Sequence, residues 1–236
     1  MLNPMNFLGG VRNHTSTFGS GGRDITLERS LPAPRGTHPA VILLHGSDGL
    51  DAAGPRFRLM MQALAGLGYA ALLPHYFART GDADLGSGSR RSEAIARSFP
   101  LWQEAIVEAV AEAARLPGID PQRIGLCGFS LGAFLALGVA ARAPQVRCVI
   151  EFCGGLPEDL VGRPFTMPSV LILHGEADAT VPVAHARTLE EALRTNHVPH
   201  EAHIYPGQGH VLQGQAERDA LQHCLAFLET HLAVRQ

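Results

Sequence analysis

Short runs of apolar residues alternate along the chain with segments whose apolar positions recur every three or four residues. A continuous apolar run of strand length is typical of a parallel strand that is covered on both faces. Recurrence at three or four residues instead predicts helices with one buried face. Buried strands are predicted at 40–44, 69–73, 123–127, 146–152 and 169–173, a further strand at 200–205, and helices at 55–67, 103–116, 131–142, 183–195 and 215–232.

Because strands and helices alternate along the chain, the pattern predicts an α/β fold with a mostly parallel sheet and helices on both of its faces. Residues 24–29 alternate polar and apolar side chains, as a half-buried strand does, and a second short edge strand is expected near 14–18. Two antiparallel edge strands would fit there. The rest of residues 1–22 is rich in Gly, Asn, Ser and Thr, so we expect this N-terminal segment to be loosely ordered.

A length of 236 residues suits a single domain with a sizeable core, and no internal repeat or linker divides the chain. We therefore predict one domain over residues 1–236. The polar loop predicted at 75–91 is long for a compact domain, which makes it either a functional loop or a surface connector.

The composition argues against several classes of function. With 17% charged residues and a formal net charge of −3, the chain lacks the basic excess of nucleic-acid-binding proteins. No apolar stretch has the roughly 18 residues needed to span a bilayer, and no apolar segment follows Arg12 as in a signal peptide. We expect a cytoplasmic monomer or homodimer without membrane or nucleic-acid partners. Four cysteines lack CxxC spacing and are expected to be reduced core residues: Cys127, Cys148, Cys153 and Cys224.

The strand predicted at 123–127 runs into a Gly-Phe-Ser-Leu-Gly motif at 128–132, and a helix follows directly. This is the setting of a nucleophile elbow, a sharp turn that holds the serine at positive φ. Strand and helix crowd together at such a turn, so only small residues fit two places before and after the serine, where Gly128 and Gly132 stand. A plain connecting turn is the alternative, but the pattern favours Ser130 as a catalytic nucleophile.

A serine hydroxyl is a poor nucleophile at neutral pH, so Ser130 needs a base and an acid that orients the base. In a parallel sheet such groups gather at the carboxyl ends of the strands. The last predicted strand leads to a Gly-flanked loop with His210, the base that we favour among the twelve histidines. The strand before it leads to Asp178, which we favour as the acid, with Glu176 as the alternative.

The oxyanion of an acyl transfer needs two N–H donors, one from the residue after the nucleophile and one from the loop after an earlier strand. These are Leu131 and, after the strand at 40–44, Ser47. Gly46 would let that backbone approach closely. In the predicted mechanism Ser130 attacks an ester carbonyl and water releases the acyl-enzyme, so no metal or organic cofactor is required.

Four segments carry a family resemblance. They are Leu-Leu-His-Gly at 43–46, Asp-Pro-Gln-Arg-Ile-Gly-Leu-Cys-Gly-Phe-Ser-Leu-Gly at 120–132, His-Gly-Glu-Ala-Asp at 174–178 with a proline at 182, and Tyr-Pro-Gly-Gln-Gly-His at 205–210. Together they resemble the dienelactone hydrolase family of α/β-hydrolases over roughly residues 20–235, and the chain order Ser, Asp, His is that of the α/β-hydrolase triad. The resemblance implies the α/β-hydrolase fold and hydrolysis of an ester or lactone.

The chain departs from dienelactone hydrolase itself in three places. The resemblance implies a cysteine nucleophile where Ser130 stands, a glutamate near Gly46, and two arginines that clamp the substrate carboxylate. Arg79 matches one arginine at most, and Gly214 stands where the other is expected. We therefore predict a carboxylesterase acting on a small-molecule ester or lactone. The predicted substrate-binding residues are Phe77, Arg79 and Phe129.

Other functions are compatible with the same scaffold. A small acyl peptidase or an acyltransferase would use the same triad, whereas a non-catalytic ligand receptor would be expected to have lost it. Glu151 ends a predicted strand and either faces the site or, as the favoured interpretation, lies in water. Trp102, the only tryptophan, either walls the acyl pocket or belongs to the core.

Overall fold

The protein is described by a computed structural model that covers residues 10–33, 36–51, 53–82, 85 and 88–233. These residues form one eight-stranded sheet in the order β1-β2-β4-β3-β5-β6-β7-β8. The strands are β1 (Arg12–Ser20), β2 (Arg23–Leu31), β3 (His38–Leu44), β4 (Ala70–Pro74), β5 (Ile119–Phe129), β6 (Val146–Phe152), β7 (Ser169–Gly175) and β8 (His200–Tyr205). The helices are α1 (Gly54–Gly66), α2 (Gly88–Ala113), α3 (Leu131–Ala140), α4 (Ala184–Thr195) and α5 (Gln215–Leu232), with short 3₁₀ helices at Tyr76–Arg79 and Glu158–Leu160.

The sheet is mostly parallel. β3 pairs with β4, β6 with β7, and β7 with β8 in parallel, whereas β1 pairs with β2 and β2 with β4 in antiparallel orientation. Helices connect most of the parallel strands along the chain, as parallel pairing requires. The predicted α/β fold, with antiparallel strands at the N-terminal edge, is confirmed.

The chain forms two compact units, and the first contains residues up to Leu43 and Asp48–Ile124. Its core includes Trp102, which is fully buried. The indole Nε1–H of Trp102 donates to Thr80 Oγ1 at 2.8 Å, and the ring stacks on Phe77 with centroids 4.5 Å apart. Of the two interpretations of Trp102, the structure favours the core role.

The second unit contains Leu44–Ser47 and Gly125–Ala233. Its central strands are apolar on both faces, and residues 170–173 of β7 are completely buried. All four cysteines lie in this unit, where each is buried and free. The expectation that the cysteines are core residues is therefore confirmed, and their reduced state stays a prediction. The prediction of a single domain stays a prediction.

Two local predictions were wrong. The edge strand expected near 14–18 extends over residues 12–20, so more of the N-terminal segment is ordered than predicted: β1 pairs with β2 along its whole length and buries Phe18 opposite Ile25. The part of that segment at residues 1–9 lies outside the described residues. Helix α2 begins at Gly88, so the predicted loop at 75–91 is shorter than expected and the helix starts well before residue 103. Polar residues in the first turns of α2 and Pro100 within it conceal the helical pattern in the sequence.

Among the described residues, none of the helices has the length and the apolar character that crossing a membrane requires.

Candidate active site

The turn between β5 and α3 holds Ser130 at φ 54° and ψ −119°. A Cβ atom at Gly128 would lie 2.2 Å from the carbonyl oxygen of Gly132, and one at Gly132 would lie 2.3 Å from the carbonyl oxygen of Leu44. Both distances are far below van der Waals contact with backbone, so neither position can accept a side chain. The geometry predicted for a nucleophile elbow is therefore present, and strain of this kind persists where the surrounding structure enforces it.

The carboxylate of Asp178 is buried directly after β7. Its Oδ1 accepts the N–H groups of Thr180 at 2.8 Å and Val181 at 2.9 Å, and its Oδ2 lies 2.7 Å from Nδ1 of His210. Burial by itself raises the pKa of Asp178, but the hydrogen bonds from His210 and the two amides lower it below its ordinary value on balance. The group is thus held as a carboxylate that orients the imidazole.

Glu176, the alternative acid, is exposed and lies 3.9 Å from the guanidinium of Arg187. The structure therefore brings Asp178, and not Glu176, to His210. His174 is also close to the acid, with Nε2 3.4 Å from Asp178 Oδ2. However, that nitrogen donates to the carbonyl oxygen of Val181 at 2.8 Å, and burial lowers the pKa of His174, so it is held as a neutral structural residue.

The loop that carries His210 is docked on the loop that carries the acid. A Cβ at Gly175 would lie 2.2 Å from the carbonyl oxygen of Gly209 and 2.4 Å from that of Gln208. The N–H of Ala177 donates to the same Gln208 oxygen at 2.8 Å. Sequence reasoning missed this role of Gly175, although a glycine between a strand and a candidate acid was a usable signal.

The segment after β6 connects the elbow with the Asp178–His210 pair. The N–H of Ser130 donates to the carbonyl oxygen of Phe152 at 2.8 Å. The next residue, Cys153, has φ 52°, and its Sγ lies within 4.8 Å of a carboxylate oxygen of Asp178 and a ring nitrogen of His210. Burial, together with the Asp178 carboxylate, raises the pKa of the Cys153 thiol to about 12. A thiol that stays protonated is unsuited to nucleophilic attack, so Ser130 is the better candidate.

Two backbone segments meet at Ser130. Leu131 begins α3, so its N–H has no partner within the helix. A Cβ at Gly46 would lie 3.4 Å from the Cβ and 3.9 Å from the Oγ of Ser130, so the segment after β3 that contains Ser47 runs against the serine. Both are suitable positions for oxyanion donors, and the assignment of Leu131 and Ser47 stays a prediction.

The expectation that Glu151 lies in water was wrong. Its side chain is completely buried at the end of β6, where Oε2 accepts the N–H of Gly154 at 2.8 Å and Oε1 has no hydrogen-bond partner. Burial raises the pKa of Glu151 to about 8. The bend at Cys153, with φ 52°, brings the N–H of Gly154 back to this carboxyl group, and an apolar strand pattern does not reveal such a bend.

The predicted substrate-binding residues are all engaged with other side chains. Phe77 packs on Trp102, and Phe129 stacks on Phe152 with centroids 4.7 Å apart. The guanidinium of Arg79 donates to Glu104 Oε2 at 2.9 Å. Their roles in substrate binding stay predictions.

Two clusters among the described residues have ligand atoms within 4.8 Å of one another, close enough to be drawn together around a metal ion. One contains Asp178 and His210, which are already joined by their own hydrogen bond. The clusters are Cys153, Asp178 and His210, and Glu201, His203 and His223.

Comparison with known proteins decides the family. Residues 28–231 match the sequence model of the dienelactone hydrolase family. The chain belongs to this family. A candidate carboxymethylenebutenolidase of Yersinia pestis is 26% identical over 217 residues, which cover 83% of this chain and 79% of that protein. The family predicted from the four motifs is thereby confirmed.

More distant similarities extend the comparison. A candidate dienelactone hydrolase of Klebsiella pneumoniae subsp. pneumoniae has the same fold, with a TM-score of 0.80, 22% identity, and coverage of 94% of this chain and 100% of the other. The acylamino-acid-releasing enzyme of Rattus norvegicus is 23% identical over 251 residues, which cover 88% of this chain but only 33% of that protein. This dienelactone hydrolase family member is therefore a hydrolase with the α/β-hydrolase fold.

Proposed function

We propose that the chain hydrolyses carboxylic esters or lactones through an acyl-enzyme on Ser130. The observation that carries this proposal is the strained backbone of Ser130, at φ 54° between two glycines that cannot accept a Cβ. Such strain costs free energy and is retained at turns that present a nucleophile. A plain connection between β5 and α3 would have no need of it.

His210 acts as the base in the proposed mechanism. As Ser130 Oγ attacks the ester carbonyl, the imidazole takes the hydroxyl proton, and it then passes that proton to the leaving alkoxide. Asp178, 2.7 Å from Nδ1, stabilises the imidazolium that forms in between. Water, deprotonated by the same imidazole, then attacks the acyl-enzyme and releases the acid.

The N–H groups of Leu131 and Ser47 serve as the oxyanion donors in this proposal. Leu131 stands at the first position of α3, where unpaired N–H groups and the positive end of the helix dipole favour an anion. Because backbone atoms donate, replacement of the Ser47 side chain is expected to have little effect on turnover.

We propose neutral esters as the preferred substrates. Arg79 already donates to Glu104, and Gly46 carries no side chain that could arrange a charged ligand. A substrate carboxylate in a buried site is usually matched by a bidentate arginine. The competing substrate is a carboxymethylenebutenolide lactone, the compound that appears in the names of relatives in the family. We expect a higher kcat/KM for aryl acetates or butyrates, and a tenfold preference for the lactone would contradict this choice.

Fluorophosphonate labelling with peptide mapping tests the mechanism. We expect one label, on Ser130, and loss of both label and esterase activity by about 10⁴-fold in a folded Ser130→Ala variant. Ser92→Ala is the control, since it removes an exposed serine hydroxyl from α2 and should keep its activity. Retention of more than about a tenth of turnover in Ser130→Ala would rule out the acyl-enzyme on Ser130.

An acyl peptidase is the second candidate, and the similarity to the acylamino-acid-releasing enzyme is the observation that favours it. The two activities use the same triad but differ in the leaving group. We expect an aryl acetate to be cleaved faster than the matched anilide. A higher kcat/KM for the anilide would favour the peptidase instead.

A further inference from the structure

A ladder of polar side chains joins the edge strand β8 to helix α5. Alternate residues of a strand share one face, so Glu201, His203 and Tyr205 point the same way. The Tyr205 hydroxyl donates to Asp219 Oδ2 at 3.0 Å, and the His203 ring stacks on His223 with centroids 3.6 Å apart. Two residues along a strand and four residues along a helix both advance the chain by about 6 to 7 Å. The pairs Tyr205–Asp219 and His203–His223 therefore stay in register between β8 and α5.

The middle of this ladder has the ligand atoms of a metal site. One atom from each of Glu201, His203 and His223 lies within 4.8 Å of the other two. Nε2 of His203 is buried and has no hydrogen-bond partner, and it lies 3.9 Å from Glu201 Oε2. A polar atom in that position is costly to leave unsatisfied, and a bound cation would satisfy it.

The two imidazoles lie close to one another, with ring centroids 3.6 Å apart. A metal ion binds a neutral imidazole through the lone pair of a ring nitrogen.

One of these side chains, His223, is held in place by neighbouring polar residues. Nε2 of His223 lies 3.4 Å from Asp219 Oδ2, and Asp219 is itself held by the hydroxyl of Tyr205. At this distance the carboxylate can hold the ring in place through Nε2, which leaves Nδ1 as the nitrogen for a metal. Carboxylate–histidine pairs of this kind orient the imidazole ligands of zinc sites.

We propose that Glu201, His203 and His223 form a binding site for a divalent transition metal of the zinc class, separate from the catalytic triad. Imidazole ligands suit zinc, copper, iron and nickel, whereas calcium and magnesium prefer oxygen ligands alone. Ligand atoms around tetrahedral zinc lie about 3.3 Å apart. The side chains of His203, His223 and Glu201 are between 29% and 55% exposed to solvent. They therefore have room to rotate, so that the stacked rings separate and the ligand atoms approach one another.

The metal would join the two elements that flank the loop carrying His210, because β8 ends before this loop and α5 begins after it. Binding to the folded chain alone raises the unfolding temperature. We therefore expect Zn²⁺ to raise Tm by about 5 °C at a free concentration about 100-fold above Kd.

Titration of the full chain with Co²⁺ at about pH 7.5 tests the proposal, since metal sites need deprotonated ligands. We expect one equivalent to bind with visible d–d absorption bands and without a sulfur-to-cobalt charge-transfer band. His223→Gln and Glu201→Gln should each weaken binding at least about tenfold, because even the loss of a group that only orients a ligand costs about 10- to 100-fold in metal affinity. His14→Gln, which removes an exposed histidine on β1, is the control and should bind as the parent does.

Three results would overturn the proposal. They are the absence of binding up to about 1 mM Co²⁺, unchanged affinity in both His223→Gln and Glu201→Gln, and a sulfur-to-cobalt band that disappears in Cys153→Ser. The last result would place the metal at the triad cluster. Because Glu201 is exposed, Glu201→Gln is expected to fold normally, and circular dichroism of each apo variant separates a lost ligand from a lost fold.

Discussion

The turns after β6 and β7 each bury a carboxyl group, and they hold these groups in opposite states. Glu151 and Asp178 both have side chains removed from solvent. Burial raises the pKa of Glu151 to about 8, whereas Asp178 stays below its ordinary value because of the hydrogen bonds that it accepts. At neutral pH one group is an acid and the other is a carboxylate.

The number of donors explains the difference. Asp178 accepts hydrogen bonds from His210 and from the backbone N–H groups of Thr180 and Val181. Glu151 accepts one, from Gly154, and its other oxygen has none. A buried charge is tolerated only where dipoles or charges replace the lost water. The comparison indicates that the β7 turn is built to hold an anion and the β6 turn is not.

Replacing each carboxyl group by an amide separates these roles most strongly. Asp178→Asn should reduce kcat on an aryl acetate by about 10⁴-fold, because an amide favours the wrong tautomer of His210. Glu151→Gln keeps an acceptor for the N–H of Gly154 and should stay within about threefold of the parent enzyme. Stopped-flow or steady-state esterase assays on both purified variants measure the ratio. Equal losses of kcat in the two variants would show that the two turns do not differ in their importance for catalysis.

The pH dependence of stability isolates Glu151. In the folded chain its carboxyl keeps a proton up to about pH 8, whereas the unfolded group releases it near the ordinary pKa of 4.5. The folded state binds more protons within this window, so stability is highest below about pH 4.5 and falls as pH rises towards 8. The loss amounts to at most about 5 kcal/mol at about 1.4 kcal/mol per pKa unit.

Urea unfolding at about pH 5 and about pH 8.5 measures this loss in the parent chain and in Glu151→Gln. The variant should lose much less stability between the two pH values, because glutamine does not titrate. The same slope in both proteins would mean that Glu151 is already ionised in the folded chain.

Gly175 tests how the β7 turn receives His210. A methyl group at Gly175 would meet the carbonyl oxygens of Gly209 and Gln208, so Gly175→Ala should push the His210 loop away from Asp178. Misplacement by about 1 Å can cost about 100-fold in kcat/KM. Gly209→Ala adds the same methyl group to the facing His210 loop, at a position with nothing within 4 Å, and serves as the control. If both variants keep full activity, the close packing at Gly175 has no catalytic importance.

The smallest effect is expected at Cys153, which lies between the two turns. Its protonated thiol lies close to Asp178 and can supply one more donor. Loss of one neutral hydrogen bond corresponds to about 1 kcal/mol or less, so Cys153→Ala should reduce kcat by about two- to fivefold with KM unchanged. Cys153→Ser retains a donor and should restore the rate. A larger loss in the serine variant than in the alanine variant would contradict this role.

Short-range patterns in the sequence were sufficient for the frame of the molecule. Apolar runs located the parallel strands. The glycines two residues before and after Ser130 predicted the strained elbow. Strand-end loops also placed Asp178 and His210 together, since parallel strands end at one edge of a sheet. These features depend on residues that are close in the chain or on a general rule of sheet topology. The start of α2 was missed because its polar first turns resemble a loop.

What only the tertiary structure decided depends on contacts between distant segments. The choice of Asp178 over Glu176 follows from which carboxylate His210 reaches, and the docking of Gly175 on Gly209 brings it there. The burial of Glu151 and the place of Cys153 beside Asp178 and His210 arise from a turn that folds against α3 and β7. Sequence patterns report which residues prefer burial, but the charge and hydrogen bonds of a buried group are set by its neighbours in space.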